Sequence, residues 1–191
     1  MKKIAIALVC LVMATGAAMA QKQFTFGPKV GFDLTHYWGE DIYHGMKPSY
    51  QAGVFMEYRA SDKFAIAPEV VFASQGGKHD KTTHYVNYIN VPVMLKFYVA
   101  PEFSIDFGPQ VGFNVYSKAS ADGESIDMKS YTKDVDFGLG LGATYNIAKD
   151  VFVQARYTMG LTKVFDSKLL EFLGADKAKN GNAQISIGYR F

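Results

Sequence analysis

Cysteine is almost missing from this chain: Cys10 is the only one in 191 residues. It lies inside the N-terminal segment MKKIAIALVCLVMATGAAMA, without the Leu-small-small run that precedes a lipoprotein site. A disulfide framework, a thiol nucleophile and a cysteine-borne lipid anchor are therefore not expected. Long apolar runs are missing too. No stretch after residue 20 approaches the ~20 apolar residues of a membrane helix, which excludes a helical membrane protein. Nor is there an excess of either charge. The formal net charge is +2 and counts Lys2 and Lys3, so no nucleic-acid surface is indicated.

What is present starts with export. Lys2 and Lys3 precede an apolar core over residues 4–13 and the small-residue end Ala18-Met19-Ala20. That layout reads as a secretory signal peptide, residues 1–20, cleaved between Ala20 and Gln21. Residues 21–191 are expected to form one domain. Aromatic residues at 15% and 18 glycines are high for a soluble enzyme.

The stretch DFGLGLGATYNI (136–147) sets Phe137, Leu139, Leu141, Ala143, Tyr145 and Ile147 against small or polar residues at every other position. Such alternation marks a strand with one apolar face, because successive side chains point to opposite sides. It recurs at 24–34, 50–60, 64–73, 87–99, 103–116, 151–161 and 183–191. Eight strands of roughly ten residues have the length that a tilted strand needs to cross a bilayer. Tripeptides (SDK, APE, AKD) separate strands two and three, four and five, and six and seven, while 35–49, 74–86, 117–132 and 162–182 are long. Short and long connections alternate in outer-membrane barrels. The expected fold is all-β, an eight-stranded antiparallel up-and-down transmembrane β-barrel.

The apolar residues nearest the short turns are aromatic: Phe24, Tyr58, Phe64, Phe97, Phe103, Tyr145, Tyr189 and Phe191, with Phe152 beside the seventh strand's start. They make an interfacial girdle. The opposite, inward face supplies Lys29, Arg59, Lys96, Arg156 and Arg190 beside Asp33, Glu57, Glu69, Asp106, Asp134 and Asp136. These charges are expected to pair and fill the lumen, leaving no wide pore, with Gly138, Gly140 and Gly142 giving room to long side chains. Pro28, Pro68, Pro92 and Pro109 each remove a ladder donor inside a strand, so bulges and kinks are expected there.

YINVPVMLKFYV (88–99), FSIDFGPQVGF (103–113), DFGLGLGATYNI and the terminal IGYRF together resemble the PorT-like family of outer-membrane β-barrels. The resemblance covers essentially the whole chain after residue 20 and implies an outer-membrane barrel. Asn90 stands where the family pattern has Glu or Gln, so no role is carried to it. Ile187, Tyr189 and Phe191 resemble the C-terminal signal read by the barrel assembly machinery. The implied partners are outer-membrane lipid, lipopolysaccharide and, during biogenesis, that machinery. The barrel is expected to be a monomer with a structural or surface-interaction role and no cofactor.

Two other readings remain open from sequence. An outer-membrane enzyme acting on lipid A, an acyltransferase or deacylase, would use types such as His36, Asp41 and Ser49, although no motif orders them. A soluble lipocalin-like carrier would require the apolar face inside. His36 and His44 bracket Glu40 and Asp41, a weak candidate for a metal cluster. Within 166–179, Asp166 or Ser167 could cap a short helix that presents Leu169, Leu170, Phe172 and Leu173 on one face and ends at Gly174.

Overall fold

The structure, a computed structural model, describes residues 23–38, 45–79, 82–121, 124–164 and 178–191. Among them are ten strands: β1 (Phe24–Trp38), β2 (Lys47–Arg59), β3 (Phe64–Gln75), β4 (Lys78–His79), β5 (Thr82–Ala100), β6 (Phe103–Ala121), β7 (Glu124–Asp127), β8 (Val135–Asn146), β9 (Val151–Lys163) and β10 (Lys179–Tyr189). Eight of them close a ring in the order β1-β2-β3-β5-β6-β8-β9-β10, with β10 pairing back to β1 and every neighbour antiparallel. Closure leaves the ring without a free edge. The expected eight-stranded barrel is what forms. The signal segment and its cleavage site at Ala20 and Gln21 lie outside the described residues.

Alternation decides which face turns inward. Val30, Phe32, Leu95, Ile105, Phe107 and Leu141 are exposed on the outside, while Lys29, Asp33, Lys96, Asp106 and Arg156 are buried. A lipocalin-like carrier needs the opposite arrangement. The girdle aromatics pair across strands near the short turns. Phe24 lies opposite Tyr58, Phe64 opposite Phe97, and Phe103 opposite Tyr145. Phe152 corrects the expectation. It points into the lumen, 3% exposed, and meets Phe55 edge-on at 5.0 Å.

The long connections are shorter than the alternation suggested. β5 and β6 each run for 19 residues and stay paired up to Thr82↔Ala121, with β4 and β7 added at their outer ends. Beyond the bilayer both faces of a ladder meet water, so pairing continues after the apolar string has stopped.

The prolines do not make bulges. Each keeps its partner on one side: Pro28↔Val54, Pro68↔Val93, Pro92↔Gln110 and Pro109↔Leu139, all in unbroken register. A strand N–H serves only one neighbour, so its loss weakens one seam without inserting a residue. The register shifts fall instead at Asn87/Tyr88, Tyr98/Ala100 and Lys179/Gly181.

The glycine string of β8 faces Arg156. A Cβ at Gly142 would stand 2.5 Å from the Ala155 carbonyl oxygen and 3.1 Å from Arg156 Cβ; at Gly140 the nearest atoms are Met94 Cε at 3.3 Å and Arg156 Cδ at 3.4 Å. Backbone cannot yield as a side-chain end can. Gly142→Val is therefore expected to destabilise the refolded barrel by ~1–3 kcal/mol in urea titration, and Gly140→Ala by a few tenths at most, because only flexible side-chain ends need to move.

Candidate functional site: the filled lumen and the outer rim

The inward string builds three layers. Nearest the short turns, Lys96 Nζ donates to Glu57 Oε2 at 3.0 Å and Tyr98 Oη donates to Glu57 Oε1 at 2.6 Å, with Arg190 Nη2 3.7 Å from the same carboxylate. Arg190 also donates to Asn146 Oδ1 at 2.8 Å, and its guanidinium lies 4.5 Å from the Phe152 ring centroid. Arg59 stacks over Tyr98 at 3.9 Å, at the mouth.

At mid-height Glu69 from β3 receives both Lys29 Nζ from β1, at 2.5 Å, and the Arg156 fork from β9, at 2.6 and 3.0 Å. Lys29 also donates to Gln154 Oε1 at 3.1 Å. One carboxylate thus ties three non-adjacent strands across the lumen. Charge-assisted bonds of this kind are the strong ones, and the bidentate fork fixes orientation as well as charge. Asp106 is held differently. Ser104 and Gln154 donate to it at 2.7 and 3.0 Å, and Thr144 completes the set.

Toward the outer end the lumen is amide-rich. Gln51 donates to Gln184 at 3.0 Å, Asn180 donates to Asp136 at 2.9 Å alongside Thr162, and fully buried Asp33 faces Asn182 and Gln51. Lys47 donates to Ser49, Ser74 and the Gln75 carbonyl at 2.9, 3.2 and 3.2 Å. Of the charges expected inside, the structure brings Lys29, Glu69 and Arg156 into one cluster and Glu57, Lys96 and Arg190 into another. Asp33, Asp106 and Asp136 lie inside but among amides and hydroxyls. Asp134 is a correction: its side chain is 82% exposed and pairs with Lys129 outside the barrel, because β8 begins one residue later at Val135. Gln51, Thr144, Gln154, Asn180 and Gln184 were missed as network members. Inward parity in the alternation was the available signal for Gln51, Thr144, Gln154 and Gln184, whereas Asn180 fell in the connection 162–182, which turns out to hold the start of β10.

At the outer rim, His36 and Trp38 lie on the outer face of β1. Trp38 Nε1 donates to the Asn180 carbonyl at 3.0 Å, and Lys179 Nζ lies 4.8 Å from its ring centroid. His36 stacks against Tyr157. Ser49 is buried in the lumen, on the other side of the wall from His36, so the two do not meet. Glu40, Asp41 and His44 lie outside the described residues, as does the expected helix that ends at Gly174. Among the described residues no group of three or more His, Cys, Asp or Glu could hold a metal ion. Ile187, Tyr189 and Phe191 stand on the outer face, and the Phe191 N–H donates to the Phe26 carbonyl at 2.8 Å.

Residues 19–166 match a family model described as outer membrane protein beta-barrel domain. No protein of curated function matches the chain. Among solved structures it is similar to neisserial surface protein A, NspA, at 14% identity and a TM-score of 0.61, over 87% of this chain and 97% of that one. It is also similar to Ail, the attachment invasion locus protein of Yersinia pestis, at 16% identity and a TM-score of 0.52, over 88% of this chain and 99% of that one. Against Ail in complex with the heparin analogue sucrose octasulfate the identity is 17% and the TM-score 0.55, over 88% and 99%. Identities this low carry the fold alone.

Proposed function

The chain belongs to the outer membrane protein beta-barrel domain family and resides in the bacterial outer membrane, and from that premise we propose a surface-interaction protein on a closed barrel. The observation that supports this most is the ledge built by β4, β5, β6 and β7. β5 and β6 each have 19 residues, about 63 Å at ~3.3 Å per residue, whereas ~9–11 residues cross a bilayer. The ledge and the segment after it expose Tyr85, Tyr116, Ile126 and Tyr131. Tyr85 and Tyr116 stand on one face of this projecting sheet and Ile126, opposite Ala119, on the other, so both faces present large side chains as contact material. The same reading has lipopolysaccharide and the assembly machinery as partners, a monomer, no cofactor and no enzyme activity. The finer likeness to the PorT-like family, carried by residues 88–99 and 103–113, belongs with it.

Cells displaying the chain can be compared with cells displaying Tyr85→Ser/Tyr116→Ser/Ile126→Ser, for adhesion to immobilised sulfated glycan, matrix protein and neighbouring cells. The expected result is lost adhesion on at least one surface, with heat-modifiable gel mobility unchanged. Equal adhesion of both forms on every surface would overturn the reading. The filled lumen adds a second expectation. Planar-bilayer recordings should show no porin-sized conductance, because the Glu69 cluster spans the barrel at mid-height.

A further inference from the structure

The outer wall formed by β1, β8, β9 and β10 carries a groove of about 400 Å³. Its floor is Ala155 and Ala183; Phe32 and Leu34 of β1 bound one side and Leu141 of β8 the other. Register explains the hollow. Ala155 lies opposite Ala143 on one strand neighbour and opposite Ile185 on the other, with Ala183 two residues beyond Ile185, so small residues run diagonally across three strands.

A polar bar closes the groove at its outer end. Tyr157 and His36 come from the two strands that flank β10, and their rings stack with centroids 6.1 Å apart at 29°. Tyr157 Oη is 3.4 Å from His36 Nε2. The bar crosses β10 at Gly181, where a Cβ would stand 2.5 Å from the imidazole. Beyond it, Lys179 of β10 lies directly opposite Lys163 of β9, with Trp38 beside Lys179. From Ala183 to Lys179 is about 13 Å at ~3.3 Å per residue, within the ~15 Å that one leaflet of hydrocarbon spans.

An apolar trough, a hydrogen-bonding bar and a pair of cations thus follow one another along the direction in which a membrane lipid lies. The end with the cations is the long-loop end, which faces the outer leaflet. We propose that this wall binds one lipopolysaccharide molecule, with an acyl chain in the Ala155–Ala183 trough, its ester or amide carbonyls at the Tyr157–His36 bar, and a glucosamine phosphate between Lys163 and Lys179. The proposal rests on outer-membrane placement and gives the lipid partner of the reading above a location.

The test uses the folded full-length barrel in detergent, titrated with diphosphoryl lipid A, monophosphoryl lipid A and phosphatidylglycerol, with bound lipid counted by native mass spectrometry. Ala155→Phe/Ala183→Phe fills the trough, and Lys163→Ala/Lys179→Ala removes the cations. Each is expected to weaken diphosphoryl lipid A about tenfold or more while heat-modifiable mobility is retained. If the double Phe variant does not fold, Ala183→Leu alone replaces it. Wild type should prefer the diphosphoryl form, and the lysine variant should lose that preference. Binding unchanged in either variant, or phosphatidylglycerol held as tightly as lipid A, would overturn the site. The ledge variant keeps this wall intact. If it binds lipid A normally, any failure of adhesion is separate from failure here.

Discussion

Glu69→Gln is expected to destabilise the folded barrel by ~3–5 kcal/mol, the cost typical of removing one partner from a buried ion cluster. Glu69 is 4% exposed and receives Lys29 at 2.5 Å and the Arg156 fork at 2.6 and 3.0 Å. Glutamine keeps the volume and one acceptor but removes the charge, so two cations, 2% and 5% exposed, are left without their shared counter-ion. Desolvated charge is costly only when unpaired. A triple variant, Lys29→Met/Glu69→Leu/Arg156→Met, should therefore recover most of the loss, although it deletes every bond in the cluster. Urea titration in lipid vesicles, followed by the heat-modifiable band and by fluorescence of Trp38, the single tryptophan, separates the two variants. If Glu69→Gln unfolds within ~0.5 kcal/mol of wild type, the lumen is wet enough to screen these charges as at a surface.

That cluster also shows where the sequence speaks and where it is silent. Period-two alternation identified all eight barrel strands and put Lys29, Glu69 and Arg156 on one face, since side-chain parity is local. Which charges meet across the lumen depends on register and barrel shear, which are not local. Lys29 and Glu69 are 40 residues apart, and Glu69 and Arg156 are 87 apart. The same limit explains Asp134. It continues the parity of Asp136, but inward direction holds only while the chain is in the ladder, and β8 starts at Val135. Phe152 was misplaced for the converse reason. Its parity pointed inward, but aromatic chemistry suggested the girdle; the lumen accepts it because Phe55 packs edge-on against the ring and the Lys96 ammonium and Arg190 guanidinium lie over it. At the outer rim, the meeting of His36, Tyr157 and Gly181 from three strands had no signal in any one segment. It became visible only with the β1–β10–β9 register.

Phe107→Arg should cost ~2–4 kcal/mol in a bilayer, and Phe103→Arg on the same face only ~0–1, because the penalty for a lipid-facing cation depends on depth. Phe107 is half exposed on the outer face, opposite Leu95 of β5 and Leu141 of β8. It lies four residues, about 13 Å along the strand at ~3.3 Å per residue, from Phe103 at the girdle. With the strand tilt this is near the middle of a ~25 Å apolar band. An arginine there cannot reach either headgroup layer without distorting its surroundings, whereas one at the girdle can extend its fork into water. Asp106, the adjacent residue, is completely buried without such a penalty, held by Ser104, Thr144 and Gln154. Refolding into vesicles, with urea midpoints read by heat-modifiable mobility, gives both values. Equal effects at 103 and 107 would mean that the two sites share one environment, and the apolar band would then not be the part of this wall that meets hydrocarbon.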